Sequence, residues 1–342
     1  MAGVTTTELA SRQFQCTLLS SNQHAIGDPL APFVAGGIDR LSFFGSADSA
    51  LILSTWLFAF FSPPTATKIC CTWLKQRLGV GEALLTQSCT SALEMAALLC
   101  NLAPGDEVIM PSFTFVSTAN AVVLRGATPV FVEIRRDTLN INEGAVESAI
   151  TPRTKAIFVV HYSGVPCEMN AINTIARRHG LLVVEDAAQA LLSTYDGRPA
   201  GTLGDIGCFS FHASKNVTSG EGGALVTDRA DIAERAHVVW EKGTNRDRFL
   251  KGQIDKHTWV DVGSSFLPSE LTAAFLAAQL ESADEITEDR RATWALYHAA
   301  FESLEQAGFV TRPSVPANVK HNGHLYYLLL KNAQTRDSTI RA

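Results

Sequence analysis

Between residues 82 and 228, short β-branched runs alternate with stretches of helical spacing, and no other feature limits the possible folds as strongly. EVIM (107–110), TPVFVEI (128–134), KAIFVVHY (155–162), LLVVED (181–186), CFSFH (208–212) and GALVTD (223–228) read as strands. SALEMAALLC (91–100), NEGAVESAI (142–150) and EMNAINTIARRHG (168–180) carry the helical period between them. Such continuous apolar runs suit strands covered on both faces, so the fold class is α/β, a mostly parallel sheet flanked by helices.

Outside that block the pattern changes. DIAERAHVVWEK and the long run PSELTAAFLAAQLESADEITEDRRATWALYHAAFESLEQAG are helical and lead into a smaller unit beginning near Arg290. The reading is a segment 1–68 of no clear period, a large α/β domain over 69–289, and a small C-terminal domain over 290–342. That last unit is expected to be incomplete: after the strand-like HLYYLLL (324–330) only 12 residues remain.

Bulk composition excludes several classes. The chain has 342 residues, with 28 Lys plus Arg against 34 Asp plus Glu and no block of like charge, which argues against a nucleic-acid surface. ALILSTWLFAFF (50–61) is too short to span a bilayer and is stopped by Ser62, Pro63 and Pro64. Seven cysteines show no C-x-x-C and no paired spacing, which fits reduced thiols in a cytoplasmic compartment and no metal framework. The Ser/Thr-rich opening MAGVTTTELASRQ lacks the charged start and apolar core of a secretory signal, yet retains a weak transit-like character.

Chemistry gathers at the predicted strand ends. In GCFSFHASKNVTSGEGG, Phe209 and Phe211 alternate with Ser210 and His212, so a half-buried strand delivers Lys215 to the start of a glycine-bearing turn. Burial lowers an ammonium's pKa and makes it an amine nucleophile able to form an imine with a carbonyl compound; the alternative is a snorkelling surface lysine. LLVVEDAAQA ends on Glu185 and Asp186, which face opposite ways. Asp186 is chosen for the ligand crevice because Gln189 lies three residues on, a full turn if a helix begins there; the alternative is an acid capping that helix. TQSCTSALEM sets Ser88, Thr90 and Ser91 at a helix N-terminus, which serves either as a plain cap or as an anion site. Phe113 and Phe115 follow a strand end, where an aromatic face stacks on a flat ligand or joins the core.

An amine, a carboxylate, a phosphate cradle and an aromatic platform at the ends of one sheet match one cofactor, pyridoxal 5'-phosphate. The stretches GDEVIMPSFTFVSTANAVVLRGATPVFVEI, VVHYSGVPCEMNAI, LLVVEDAAQA, GCFSFHASKN, EGGALVTD and EKGTNR together resemble the DegT/DnrJ/EryC1/StrS family of sugar aminotransferases, over a span from Cys71 to Leu330. EKGTNRDRF, VDVGSSFL and SCTSALEMAALL look most like the branch that makes dTDP-4-amino-4,6-dideoxygalactose for common antigen or lipopolysaccharide.

The resemblance implies the type I, aspartate aminotransferase-like fold of pyridoxal phosphate-dependent transferases, usually a homodimer. It implies that Lys215 carries the cofactor and Asp186 pairs with its ring nitrogen. Gln189 would contact the ring oxygen, Phe115 would cover the ring, and Thr90, Ser91 and Ser210 would hold the phosphate. Lys242, Arg246 and Arg248 are candidates for the diphosphate of a nucleotide-linked 4-keto-6-deoxyhexose, or else solvated loop charges, and glutamate is the expected amino donor. The chain departs from the family in residues 1–68 and in the short small domain, so a cofactor-binding homologue of impaired turnover is the second reading. A hydrolase or metal enzyme built on His161, Asp186 and His212 is a third; the chain has neither G-x-S-x-G nor H-E-x-x-H.

Overall fold

A computed structural model of the protein describes residues 65–341. The apolar run 50–61, and the segment 1–68 apart from its last four positions, lie outside the described residues. The chain enters through α1 (Ala66–Leu78), whose cap Thr65 accepts the amide of Lys68 and whose end is turned by Gly79 at φ 70°. A left-handed residue there favours glycine, which carries no Cβ to clash.

The main elements then follow in order: β1 (Glu82–Thr86), α2 (Cys89–Leu99), β2 (Glu107–Pro111), α3 (Val116–Val123), β3 (Thr128–Val132), β4 (Thr154–Val160), α4 (Met169–His179) and β5 (Leu182–Asp186). Two short strands, β6 (Thr194–Tyr195) and β7 (Arg198–Pro199), precede β8 (Ile206–Ser210) and β9 (Gly223–Thr227). Helices α5 (Ala230–Trp240), α6 (Glu270–Glu281) and α7 (Ala283–Ala300) complete the layers.

Seven strands form one sheet in the order β1-β9-β8-β5-β4-β2-β3. Strand β9 runs antiparallel to both its neighbours, and every other pairing is parallel. The C-terminal ends of β1, β2, β4, β5 and β8 therefore share one edge with the start of β9. That edge is where an α/β sheet presents ligand-binding groups.

Alternation along the strands builds two cores. Leu84, Val108, Met110, Phe158, Val184, Cys208 and Leu225 face α2 and α5. Leu85, Phe209, Ala224 and Val226 face α1 and α6 on the other side, continued by Ile109, Ile157, Val159 and Val183 against α4. Phe209 and Phe211 are fully buried in that second layer and His212 is exposed, but Cys208 and Ser210 are buried as well, so β8 is covered on both faces, which corrects the expectation of a half-buried strand. Coverage on both faces fails at one place: β3 is the edge strand and leaves Phe131 half exposed.

Two expectations are corrected beyond residue 268. The single long helical run is three helices, broken at Ser282 and Phe301, with the third at Glu302–Gln306. HLYYLLL is not a strand over its length; β12 covers only Leu329–Leu330 and pairs with β10 (Val310–Thr311), while β11 (Val319–Lys320) pairs with β6. Two backbone carbonyls of 322–325 are instead engaged by side chains from other loops: Asn216 Nδ2 donates to the carbonyl of Asn322 and Ser163 Oγ to that of Leu325. A backbone held that way has no need of a strand partner.

Candidate active site

The first turn of α2 leaves the end of β1 and is capped by Ser88, whose Oγ accepts the amide of Ser91 at 3.1 Å. Thr90 Oγ1 lies 2.8 Å from Ser117 Oγ on α3, so hydroxyls of two helices meet beside the first turn of α2. Strand β9 presses on this turn through Gly223, where an added Cβ would lie 2.4 Å from the Ser88 carbonyl carbon and 2.5 Å from the Cys89 nitrogen. Hydroxyl-bearing residues at the positive end of an 11-residue helix suit a phosphate.

At the end of β5 the two acids part company. Glu185 is wholly buried and accepts the amides of Gly201 at 2.8 Å, Leu203 at 2.6 Å and Gly204 at 2.5 Å, and lies 2.7 Å from His161 Nε2. His161 Nδ1 accepts the amide of Cys167, so the ring proton sits on Nε2 and is donated to Glu185. Asp186 faces α3 and accepts the Thr118 hydroxyl at 2.6 Å and the Ala188 amide at 3.2 Å. No helix follows Asp186, which corrects the expectation of one: the Ala188 bond closes an Asx turn, and successive turns at Ala190 and Ser193 carry the chain on. Gln189 is still brought back to the site, its Oε1 accepting the Ser163 amide at 2.6 Å.

Lys215 lies in the turn after β8, its amide donating to the carbonyl of His212. Burial pushes its ammonium below the ordinary lysine value, while the nearby Cys89 and Asp186 pull it partly back. Strand β8 pairs with β5, so the turn bearing Lys215 leaves the sheet beside the strand end that bears Asp186. Ser210, the last residue of β8, is buried and its Oγ accepts the His212 amide. Phe115 caps α3 and is 64% exposed, whereas Phe113 is buried against Tyr162 with ring centroids 5.0 Å apart. Phe115 alone of the two thus offers a free ring face.

The structure brings together Lys215, Asp186, Gln189, Ser210, Thr90, Ser91 and Phe115 at one edge of the sheet. Lys242 and Arg246 both pair with the buried Glu241, at 3.3 and 2.5 Å, on a loop that abuts Gln87 through Phe266; Arg248 is exposed on the short helix Arg246–Leu250. His161, Asp186 and His212 are not a triad: His161 is committed to Glu185 and Cys167, and the exposed His212 to Ser214.

Sequence reasoning missed Thr118, Asn216, Asn322 and His324. Thr114, just before the cap of α3, and Thr118 in its first turn are four residues apart and their hydroxyls are 2.8 Å apart. Asn322 and His324 lie more than a hundred residues beyond Asn216 and carry no local signal.

These residues fit pyridoxal phosphate. A partly desolvated amine matches its aldehyde, a buried carboxylate held by neutral donors matches its ring nitrogen, and the hydroxyl-lined helix end matches its phosphate. No helix among the described residues is long and apolar enough to cross a membrane, and the six described cysteines are all free.

The sequence profile of the DegT/DnrJ/EryC1/StrS aminotransferase family matches residues 72–342. An uncharacterized protein of Methanocaldococcus jannaschii, MJ1066, is 40% identical over 257 residues, 74% of this chain and 66% of that protein; the chain thus spans about two thirds of this curated relative. Among solved structures, DesV of S. venezuelae in complex with a ketimine intermediate superposes with a TM-score of 0.75 at 30% identity, covering 86% of this chain and 77% of the other. DesI in the presence of its TDP-sugar product gives 0.72 at 34% identity, covering 81% and 68%.

Proposed function

We propose that this chain, which belongs to the DegT/DnrJ/EryC1/StrS aminotransferase family, moves an amino group from glutamate to the 4-keto carbon of a nucleotide-linked 6-deoxyhexose. Members of the family are pyridoxal phosphate-dependent aminotransferases with the type I fold, and they act on sugars. The observation that carries the reading is that Asp186 at the end of β5 and the turn bearing Lys215 after the neighbouring β8 lie at the same sheet edge as the first turn of α2.

When bound, pyridoxal phosphate supplies an electrophilic carbon for the incoming nitrogen and a ring that withdraws electrons from the carbon being deprotonated. Lys215 would hold it at the aldehyde, Asp186 at the ring nitrogen, Gln189 at the ring oxygen and Thr90, Ser91 and Ser210 at the phosphate, with Phe115 over the ring. Burial leaves the Lys215 amine less protonated than a free lysine, so Nζ is suited to take the proton from the α-carbon of glutamate and return it. Asp186, fixed by Thr118 and Ala188, keeps negative charge opposite that step. Glu185 and His161 do no chemistry; they hold the 201–204 turn against β5.

The finer assignment is dTDP-4-amino-4,6-dideoxygalactose as product, supported by the likeness of EKGTNRDRF and VDVGSSFL to that branch and by the TDP-sugar held by DesI. Lys242, Arg246 and Arg248 are its proposed diphosphate contacts. The enzyme is proposed to work in the cytoplasm as a homodimer; exposed Phe115, Val116, Val123 and Leu124 along α3 support the pairing.

The test is purified protein with pyridoxal phosphate, glutamate and dTDP-4-keto-6-deoxyglucose, followed by mass spectrometry of the sugar and, after borohydride reduction, of the Lys215 peptide. A pyridoxyl adduct on Lys215 with formation of the amino sugar is expected. An adduct without turnover would point to a cofactor-binding homologue, and an adduct on another lysine would overturn the assignment.

A further inference from the structure

Four chain segments converge on Asn322, which is almost wholly buried. Its Nδ2 donates to the carbonyls of Gln189 and Leu191, each at 2.9 Å, on the turn that follows Asp186. Its own carbonyl accepts from Asn216 Nδ2 at 2.9 Å, and Asn216 is the residue after Lys215. Its Oδ1 accepts the amide of His324 at 3.1 Å and packs on Gly164, where an added Cβ would lie 2.0 Å from that oxygen. Gly164 is itself fixed by Ser193, whose hydroxyl donates to its carbonyl at 2.6 Å.

The bond directions are mutually determined. Asn216 spends its amide nitrogen on Asn322, so its Oδ1 accepts from His324 Nδ1 at 3.0 Å and the His324 proton sits on Nδ1. Asn322 likewise uses its nitrogen on two carbonyls and its oxygen on one amide, leaving no orientation of the side chain that serves equally well. A fully satisfied buried network of this kind specifies one arrangement of the loops it joins.

We propose that Asn322 is a positioning residue that fixes the Lys215 amine relative to the Asp186 carboxylate by binding the Asn216 and Gln189 loops into one hydrogen-bonded cluster. The assignment rests on the proposed aminotransferase reading and deepens it: the small-domain segment 321–325 sets the amine's surroundings while the large domain supplies the amine itself. The charged and titratable groups facing Lys215 are Asp186, Cys89 and His324, from β5, α2 and this segment. Loosening the cluster admits water to the amine and moves it away from all three.

The decisive variants add no charge: Asn322→Leu, which keeps the size and removes the bonds to the Gln189 and Leu191 carbonyls and to the His324 amide, and Asn216→Leu, which removes the bonds to Asn322 and His324. Both are made in the full chain. The cofactor-free protein is treated with formaldehyde and borohydride across a pH series, and methylation of the Lys215 peptide is followed by mass spectrometry to give the midpoint of the amine. In each variant the midpoint is expected to rise toward the ordinary lysine value, with the double variant moving no further than the larger single one. Pyridoxal phosphate affinity, read by absorbance titration, is expected to fall about tenfold or more, equivalent to about 1.4 kcal/mol.

Midpoints unchanged in both variants would overturn the proposal, as would a loss of affinity with no change of midpoint, which marks a purely structural role. Should Asn322→Leu fail to fold by circular dichroism, Asn216→Leu decides by the same readout. Wild-type protein that takes up no pyridoxal phosphate would instead overturn the aminotransferase reading, an outcome separate from these.

Discussion

Thr118 on α3 donates its hydroxyl proton to Asp186 Oδ2 across 2.6 Å and lies 2.8 Å from the hydroxyl of Thr114, which donates to it. Both Thr118 and Asp186 are buried, so the carboxylate is oriented by neutral donors at one fixed angle. A hydrogen bond to a charged group contributes about 1.5–3 kcal/mol. Thr118→Val is therefore expected to lower kcat by about tenfold or more and to weaken pyridoxal phosphate binding, with Thr118→Ser restoring most of both. Steady-state kinetics and absorbance titration check this; a valine variant with wild-type kcat would show that the hydroxyl does not orient the carboxylate.

Adjacent residues Glu185 and Asp186 should fail in different ways. Glu185 accepts three backbone amides and the His161 proton in a fully buried position, so Glu185→Gln turns an NH2 group toward donors. Breaking a buried charged cluster of this kind costs about 3–5 kcal/mol. Thermal unfolding should show a large drop for Glu185→Gln, together with loss of activity. Asp186→Asn keeps volume and most of the fold, so its melting temperature should stay close to wild type while turnover falls far more. Equal destabilisation by the two changes would refute the division of roles.

That division was legible in LLVVEDAAQA because strand alternation forces neighbouring side chains to opposite faces. What followed was not: an Asx turn and a helix start both begin with an acid and small residues, and only the Ala188 amide bond separates them. The capped first turn of α2 could be read from Ser88, Thr90 and Ser91 because caps are local. The cluster around Asn322 could not, since asparagine has no period and its partners come from loops far away in sequence. HLYYLLL misled for the same reason, its Leu325 carbonyl being engaged by the Ser163 side chain, which no strand pattern anticipates.

Lys215 gives a pH-dependent prediction whose sign follows from its surroundings. Burial pushes its pKa below the ordinary 10.5, against the raising influence of Cys89 and Asp186. Between the lowered value and 10.5 the unfolded chain binds more protons at this site than the folded one, so stability rises with pH through that window. Below that window the cofactor-free wild type carries the cost of a buried ammonium. Lys215→Met should then be more stable than wild type to urea near neutral pH, the advantage shrinking as pH approaches the ordinary lysine value. A difference that does not vary with pH would mean that the ammonium is not desolvated in the fold.

The contact between β9 and the first turn of α2 yields a last prediction, and it tests the phosphate assignment without touching a polar group. Gly223 opens β9 opposite Thr86 and leaves no room for a side chain, since an added Cβ would fall 2.4 Å from Ser88 and 2.5 Å from Cys89 backbone atoms. Real carbon atoms do not approach so closely, and backbone cannot swing aside as a flexible side chain does. Gly223→Ala must therefore displace the turn that carries Ser88, Thr90 and Ser91, moving amides and hydroxyls together. Because that turn also ends a central part of the core, some loss of melting temperature is expected. Affinity for pyridoxal 5'-phosphate should fall by about tenfold or more, whereas affinity for pyridoxal, which lacks the phosphate, should change far less. Parallel absorbance titrations of the two compounds separate the cases, and an equal loss for both would place the phosphate elsewhere on the sheet edge.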